Sequence, residues 1–307
     1  MTRRVLTRLG TSLLVLWGAV TVSFTALHLT PGNVADVLIG SSIVTPEVRA
    51  QIIADYGLDR PLPVQYATYL GRVLRGDLGQ SYQLHESVAS AIGAQLGASV
   101  QLTASALVFA VVVSTTLAVL TARRARWIRG LSSGLELVGV SIPTFWTAIL
   151  LLTVFSFQLG WFPAAGGDGF SGLFLPMIAV AIPITTMLTQ MMRENLELIL
   201  DEPFVLTARS RGMSDLGVRL KHALRHALVP AITLLGWVVG LLLGGMVAVE
   251  QIFSRQGIGQ LTLAAVTGKD LPVVMGVVLI TAVLYVVVNI LIDLLYLVVD
   301  PRLRGAA

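Results

Sequence analysis

Long uninterrupted apolar stretches constrain this chain more than any other feature of its sequence. Six can be read, at about 9–29, 96–122, 131–159, 173–192, 228–253 and 271–299. Each lies near the roughly 20 residues that a helix needs to cross the hydrocarbon of a bilayer. The runs are continuous and leucine-rich, whereas a membrane barrel strand alternates apolar and polar residues over about ten positions. An unpaired backbone amide in hydrocarbon costs several kcal/mol, so helices that satisfy their own hydrogen bonds follow. Charged residues make up 12% of the chain and hydrophobic ones 55%. A soluble domain carries about 25% charged residues, so this sequence has about half the usual means of staying in water. The expectation is an all-α polytopic membrane protein with six transmembrane helices.

The first run has a basic flank of Arg3, Arg4 and Arg8. Its apolar stretch exceeds the roughly 7–15 residues of a signal-peptide core, and no small-x-small cleavage pattern precedes Pro31, so it reads as a retained helix. With the N-terminus inside and six crossings, fifteen of the 21 basic residues fall in internal segments. That bias places both termini in the cytoplasm and makes the basic pI a matter of topology and membrane lipid, not of nucleic acid. The longest external segment, 31 to about 95, carries Asp36, Glu47, Asp55, Asp59, Asp77 and Glu86 against four arginines. Thr45-Pro46-Glu47 reads as a helix start. Residues 64–74 place Tyr66, Tyr69, Leu70 and Val73 on one helical face. A small helical layer on the outer membrane surface is expected there, which divides the chain into 1–95 and a core of 96–307.

The internal segment from Arg193 to about Ala227 is too long for a hairpin. Glu202-Pro203 reads as a helix start with an acidic cap, and Gly212 supplies the positive-φ residue that stops helices. A second helix starts near Ser214, with Leu216, Leu220, Leu224 and Leu228 four residues apart and Arg219, Lys221 and Arg225 off that stripe. Two readings remain at this point. One is a basic amphipathic helix resting on lipid. The other is a short helix that docks a soluble partner and is rigidly joined to the next span.

The run Leu206-Thr207-Ala208-Arg209-Ser210-Arg211-Gly212, followed by His222-Ala223-Leu224-Arg225-His226-Ala227-Leu228-Val229-Pro230, resembles the coupling loop of ABC-importer permeases of the dipeptide/oligopeptide branch. The resemblance extends along the chain, through Pro31-Gly32, Tyr56-Gly57-Leu58-Asp59-Arg60-Pro61, Gly76-Asp77-Leu78-Gly79-Gln80-Ser81 and Ser141-Ile142-Pro143-Thr144-Phe145-Trp146. It continues in Gly160-Trp161-Phe162-Pro163, Glu250-Gln251-Ile252-Phe253-Ser254 with Gly257-Ile258-Gly259, and Asp300-Pro301-Arg302. It implies a type I ABC importer permease fold and a pore shared with a second homologous permease. Two cytoplasmic ATP-binding cassette subunits would grip the loop, and an external substrate-binding protein would deliver cargo. Thr207, Ala208, Arg209, Arg211, Gly212 and Met213 are the positions that would couple ATP hydrolysis to movement. The chain departs from the branch at Asn33, where an acidic residue is common, and at Arg255-Gln256, where Trp-Pro is common. Both lie on the external side, where cargo is received.

Glu136, Glu250 and Asp293 lie in or near spans, where a carboxylate is costly enough to mark function or a specific pairing. Glu250, with Pro143, Phe145 and Trp146, is the candidate lining of the pathway, and Pro143, Pro176 and Pro183 are candidate kinks. No P-loop motif is present, and no Ser–His, paired-carboxylate or metal-ligand pattern emerges. No catalytic residue, metal or cofactor is therefore assigned. A secondary transporter would show inverted repeats and midplane ion-coupling carboxylates, and no repeat is apparent. Short peptides are the expected cargo, with nickel, haem or glutathione as alternatives.

Overall fold

The computed structural model describes residues 2–40, 42–167 and 169–299; Asp300-Pro301-Arg302 and Arg304 lie outside the described residues. The chain opens with α1 (Thr2–Leu29), α2 (Val34–Ile39), α3 (Pro46–Tyr56) and α4 (Leu62–Leu74), then a two-stranded hairpin of β1 (Gln80–Ser81) and β2 (Glu86–Ser87). There follow α5 (Val88–Thr121), α6 (Arg126–Ser141), α7 (Thr144–Leu151) with a π-helical continuation over Leu152–Gln158, α8 (Gly169–Ile199), α9 (Pro203–Ser210) and α10 (Asp215–Val218). A second π turn, Arg219–Ala223, leads into α11 (Leu224–Gly245), α12 (Val247–Ile252), α13 (Ile258–Gly268) and α14 (Leu271–Val299).

Among the described residues, five helical stretches are long and apolar enough to cross a membrane, namely Thr7–Leu29, Val88–Thr121, Gly169–Ile199, Asp215–Gly240 and Leu271–Tyr296. A sixth exists if α6 and the α7–π segment are one span, bent by 101°. The third run, expected to be continuous over 131–159, is therefore broken. The cause is Pro143, which lacks an amide to close the helix and pushes its predecessor out of the helical region; Ile142 is extended, at φ −81° and ψ 123°. The fifth run also divides, at Met246, where α11 gives way to α12.

The chain forms two compact units, residues 1–99 with 256–287 and residues 100–255 with 288–307. In the first, α2, α3 and α4 pack on one another, and α2 and α4 on α1, as the helical layer expected from the sequence. Thr45 caps α3, its hydroxyl accepting the Val48 amide, with Pro46 at the first helical position. The inward face of α4 is less apolar than expected. Its buried residue is Gln65, whose side-chain oxygen faces His28 Nε2 of α1 at 2.9 Å while its amide nitrogen donates to the Arg60 carbonyl at 2.8 Å. Thr21 and Tyr66 share a hydroxyl hydrogen bond at 2.8 Å, and Phe24 lies against His28, Tyr66 and Tyr69. The hairpin is tied to the α13–α14 corner, where Ser81 donates to the buried Asp270 and Gln83 to the Gly268 carbonyl.

The second unit is built around α8, against which α6, α7, α11 and α12 pack. Its core holds Leu175, Ala179, Val180, Leu188 and Met192 of α8 with Leu102, Ala106 and Ala110 of α5. Those alanines have no exposed surface, and small residues are what allow helix backbones to approach closely in a membrane.

Candidate coupling site and pathway residues

The segment expected as a cytoplasmic loop from Arg193 begins inside a helix. α8 continues to Ile199, and Arg193 is 6% exposed. Its guanidinium meets the Glu136 carboxylate of α6 in a two-pronged pair, at 2.5 and 2.7 Å. Ser132 donates to the same carboxylate at 2.6 Å. The burial of Glu136 is thus matched by a partner and by further hydrogen bonds, the conditions under which a buried charge pair repays its desolvation.

α9 opens at Pro203, a position where the absent amide costs nothing. Glu202 makes no side-chain cap, contrary to the acidic cap expected, although its backbone is extended as a cap residue requires. At the far end Gly212 takes φ +81°, and its amide donates to the Arg209 carbonyl at 2.9 Å. Ser214 then caps α10 by accepting the Gly217 amide at 3.2 Å. Gly212 and Ser214 therefore act as the sequence indicated.

Val205 and Ala208 point inward and join Val119, Ala122, Leu196, Leu200, Val218, Ala223 and Ala227 in one apolar cluster. Thr207, Arg209, Ser210, Arg211 and Gly212 are exposed, Leu206 is 69% exposed, and Met213 packs against the cluster. A row of charges braces this seat. Asp215 accepts from Arg209 at 3.0 Å and from Arg219 at 2.8 Å. Arg219, only 3% exposed, donates to the carbonyls of Val119 and Ala122 at 2.8 and 2.7 Å. On the other side, Glu197 accepts the Arg123 amide at 3.1 Å and pairs with Arg129 at 3.3 Å.

The stripe Leu216, Leu220, Leu224 and Leu228 is partly buried only in its second half, where Leu224 and Leu228 pack against the apolar core. Leu216 and Leu220 are about half exposed, and Val218, Arg219, Ala223 and Ala227 turn inward instead. The π turn at Arg219–Ala223 accommodates an extra residue and rotates everything after it, so an even four-residue spacing misreads the register. The place of Arg219 was missed for the same reason. Its one sequence signal was Asp215, four residues ahead.

The pathway candidates fall at two places. Pro143 forms the corner of the broken span, and Phe145 and Trp146, in the first turn of α7, are about half exposed. Glu250 lies on α12 with no exposed surface, and α12 packs against α7. The Glu250 carbonyl accepts the Arg255 amide at 2.8 Å, while the Arg255 side chain donates to Gln101 at 2.8 Å. Burial pushes the Arg255 guanidinium below its ordinary pKa, against the opposing pull of Glu250. A cavity of about 230 Å³ opens beside the corner, lined by Thr144 with Pro183, Met187, Trp237 and Met246.

Residues 114–305 match the family model described as the binding-protein-dependent transport system inner membrane component. Residues 1–103 match the N-terminal model of the same systems. The chain belongs to this family. It is a multi-pass permease component of an ABC-type importer in the cell inner membrane, and it works with other components of the transport system. A protein of Brucella abortus (strain 2308) named for a peptide transport system permease is 36% identical over 313 residues, covering 99% of each chain. One from Brucella suis biovar 1 (strain 1330), named for a peptide permease, is 36% identical over 317 residues with the same coverage. The glutathione transport system permease protein GsiC of Salmonella paratyphi A (strain ATCC 9150 / SARB42) is 34% identical over 286 residues, covering 92% of each chain.

Proposed function

We propose that this permease carries short peptides into the cytoplasm, with α9 as the element through which ATP hydrolysis drives the membrane helices. The observation that carries the reading is the seating of α9. Val205 and Ala208 fix it to the ends of α5 and α8, while Leu206, Thr207, Arg209 and Arg211 remain outside for a partner. A helix held in this way transmits a push instead of absorbing it. In this reading two ATP-binding cassette subunits hold α9 and its counterpart on a second, homologous permease. An external substrate-binding protein delivers cargo to the side bearing α2–α4, and both termini are cytoplasmic. Residues 1–95 form the outer layer with its anchoring helix and 96–307 the permease core, with Glu250, Pro143, Phe145 and Trp146 near the route.

Peptide cargo is supported by the names of the Brucella relatives, and the Salmonella relative's cargo, glutathione, is itself a short peptide. The test is reconstitution of the permease with its system partners in proteoliposomes. Uptake of a short peptide should require ATP, and the Gly212→Trp substitution should leave ATP hydrolysis while abolishing uptake. ATP-independent uptake, or normal uptake by that variant, would remove the coupling role.

A further inference from the structure

We propose that α6 and α8 move as one body during transport, with Arg193 and Glu136 as positioning residues that carry the displacement of α9 into the broken third span. The proposal rests on the coupling role of α9 and adds the route by which its movement enters the membrane.

Three ties join the antiparallel helices in register. Near the start of α6, Arg129 pairs with Glu197 at 3.3 Å. About two turns further on, Glu136 and Arg193 form the enclosed two-pronged pair, each about 8% exposed in its side chain. Ser132 and Ser133 both accept from the same guanidinium, at 3.0 and 3.2 Å. Beyond it, Gly139 lies so close to Thr186 that a Cβ built there would overlap the threonine methyl and sit 3.4 Å from Ile182 Cγ2. The ties span about 15 Å of α6 at 1.5 Å per residue.

A two-pronged arginine–carboxylate pair has one geometry. Sliding one helix past the other would leave both charges without a partner in an apolar setting, which is far more costly than moving the pair intact. The glycine contact likewise leaves no room for rotation about the shared axis. α8 leads directly to α9, so displacement of α9 reaches α6 without loss. The next element is α7, set at 101° to α6 across Ile142 and Pro143. That corner has no intrahelical hydrogen bond through Pro143 to resist bending, so the motion is taken up there, next to Phe145 and Trp146.

The chain has no cysteine, so an introduced pair is unambiguous. A Cβ at Gly139 would stand 3.5 Å from Thr186 Cβ, inside the range of about 3.5–4.5 Å that a disulfide requires. In the reconstituted complex, Gly139→Cys with Thr186→Cys should transport peptide equally well oxidised and reduced. Loss of uptake on oxidation, restored by a reductant, would show that the helices slide and would overturn the proposal. In the second arm, Arg193→Gln should raise the ATP hydrolysed per peptide about tenfold, the scale on which one residue of a coupling network acts. The exchanged pair Arg193→Glu with Glu136→Arg should recover most of that loss, and an unchanged ratio in Arg193→Gln would also overturn the assignment. If Arg193→Gln does not assemble, the disulfide arm decides alone. Gly212→Trp separates the two levels: normal uptake by that variant removes the coupling role itself, whereas a blocked disulfide with an uncoupled Gly212→Trp removes only the rigid pairing of α6 and α8.

Discussion

The Arg219 guanidinium donates to the Val119 carbonyl at 2.8 Å, across 100 residues of chain. Val119 lies in the last turn of α5, and carbonyls there have no partner within their own helix. A buried cation supplies one for Val119 and one for Ala122, and it suits the negative end of the helix dipole. Arg219→Leu should lower the stability of the assembled permease by about 1–3 kcal/mol, the cost of leaving buried acceptors unmet. Arg219→Lys should recover only part, because an ammonium lacks the fork that reaches two carbonyls and Asp215 together. Thermal unfolding of the solubilised complex measures both, and an Arg219→Leu variant as stable as the parent would refute the account.

Gly212 gives a prediction in which conformation and size point in opposite directions. It sits at φ +81°, and a Cβ added there would meet nothing within 4 Å. Substitution therefore costs backbone strain of about 1–2 kcal/mol and no collision. Asparagine tolerates this region better than alanine, and valine tolerates it worst. Peptide uptake by the reconstituted system should fall in the order Gly212→Asn, Gly212→Ala, Gly212→Val. An order that followed side-chain volume, with alanine the best tolerated, would mean that a partner's surface sets the requirement for glycine.

What could be read from the sequence follows from the range of each interaction. Runs of apolar residues mark the helices long enough to span a membrane, and Thr45-Pro46, Pro203 and Ser214 set helix starts, because these are decided by local sequence. The corner at Pro143 depends on the same local chemistry, and the proline marks it as a candidate kink, but the 101° size of the bend is set by packing that the sequence does not show. The pairing of Glu136 with Arg193 needs a neighbour 57 residues away, which a single sequence does not reveal. The π turn at Arg219–Ala223 is the hardest case. It shifts the helical register by one residue, so the four-residue leucine spacing meets the apolar core only at Leu224 and Leu228 and fails at Leu216 and Leu220, although the helix itself was correctly expected.

Gly40 contrasts with Gly212. Its φ is +66°, and a Cβ there would lie 2.8 Å from the Lys269 carbonyl oxygen and 2.9 Å from Gln83 Nε2. Gly40→Ala combines strain with collision against backbone, so its cost should exceed the roughly 1–2 kcal/mol of a left-handed alanine alone. The expected outcome is a larger fall in thermal stability than Gly212→Ala produces, with faster proteolytic cleavage in residues 31–95. Equal stability of the two variants would mean that the α13–α14 corner gives way at no cost.

The outer layer should open in alkali. Burial pushes the hydroxyls of Tyr69 and Tyr82 up to about 12, from an ordinary value of 10.0. A group whose pKa is raised on folding contributes stability that is whole below its unfolded value and is lost as pH rises toward the folded one. The loss should therefore fall between pH about 10 and about 12. The opposite sign holds for Asp77. The hydrogen bond from Arg72 draws its carboxyl below the ordinary carboxylate value, so its contribution is present above that value and is lost as pH falls through the lowered one. This second effect should be small, since the Asp77 side chain is half exposed and an ion pair of that kind is screened by solvent. Tyrosinate absorbance followed along a pH titration should show the Tyr69 and Tyr82 hydroxyls ionising late, together with that of Tyr56, which burial also pushes up, and coinciding with unfolding of the α2–α4 layer. Tyr69→Phe and Tyr82→Phe should each remove one of them and move the alkaline transition to higher pH. If both hydroxyls ionise near pH 10 with the layer intact, they are exposed in solution and the packing around Tyr56, Tyr69 and Arg72 is looser than the structure describes.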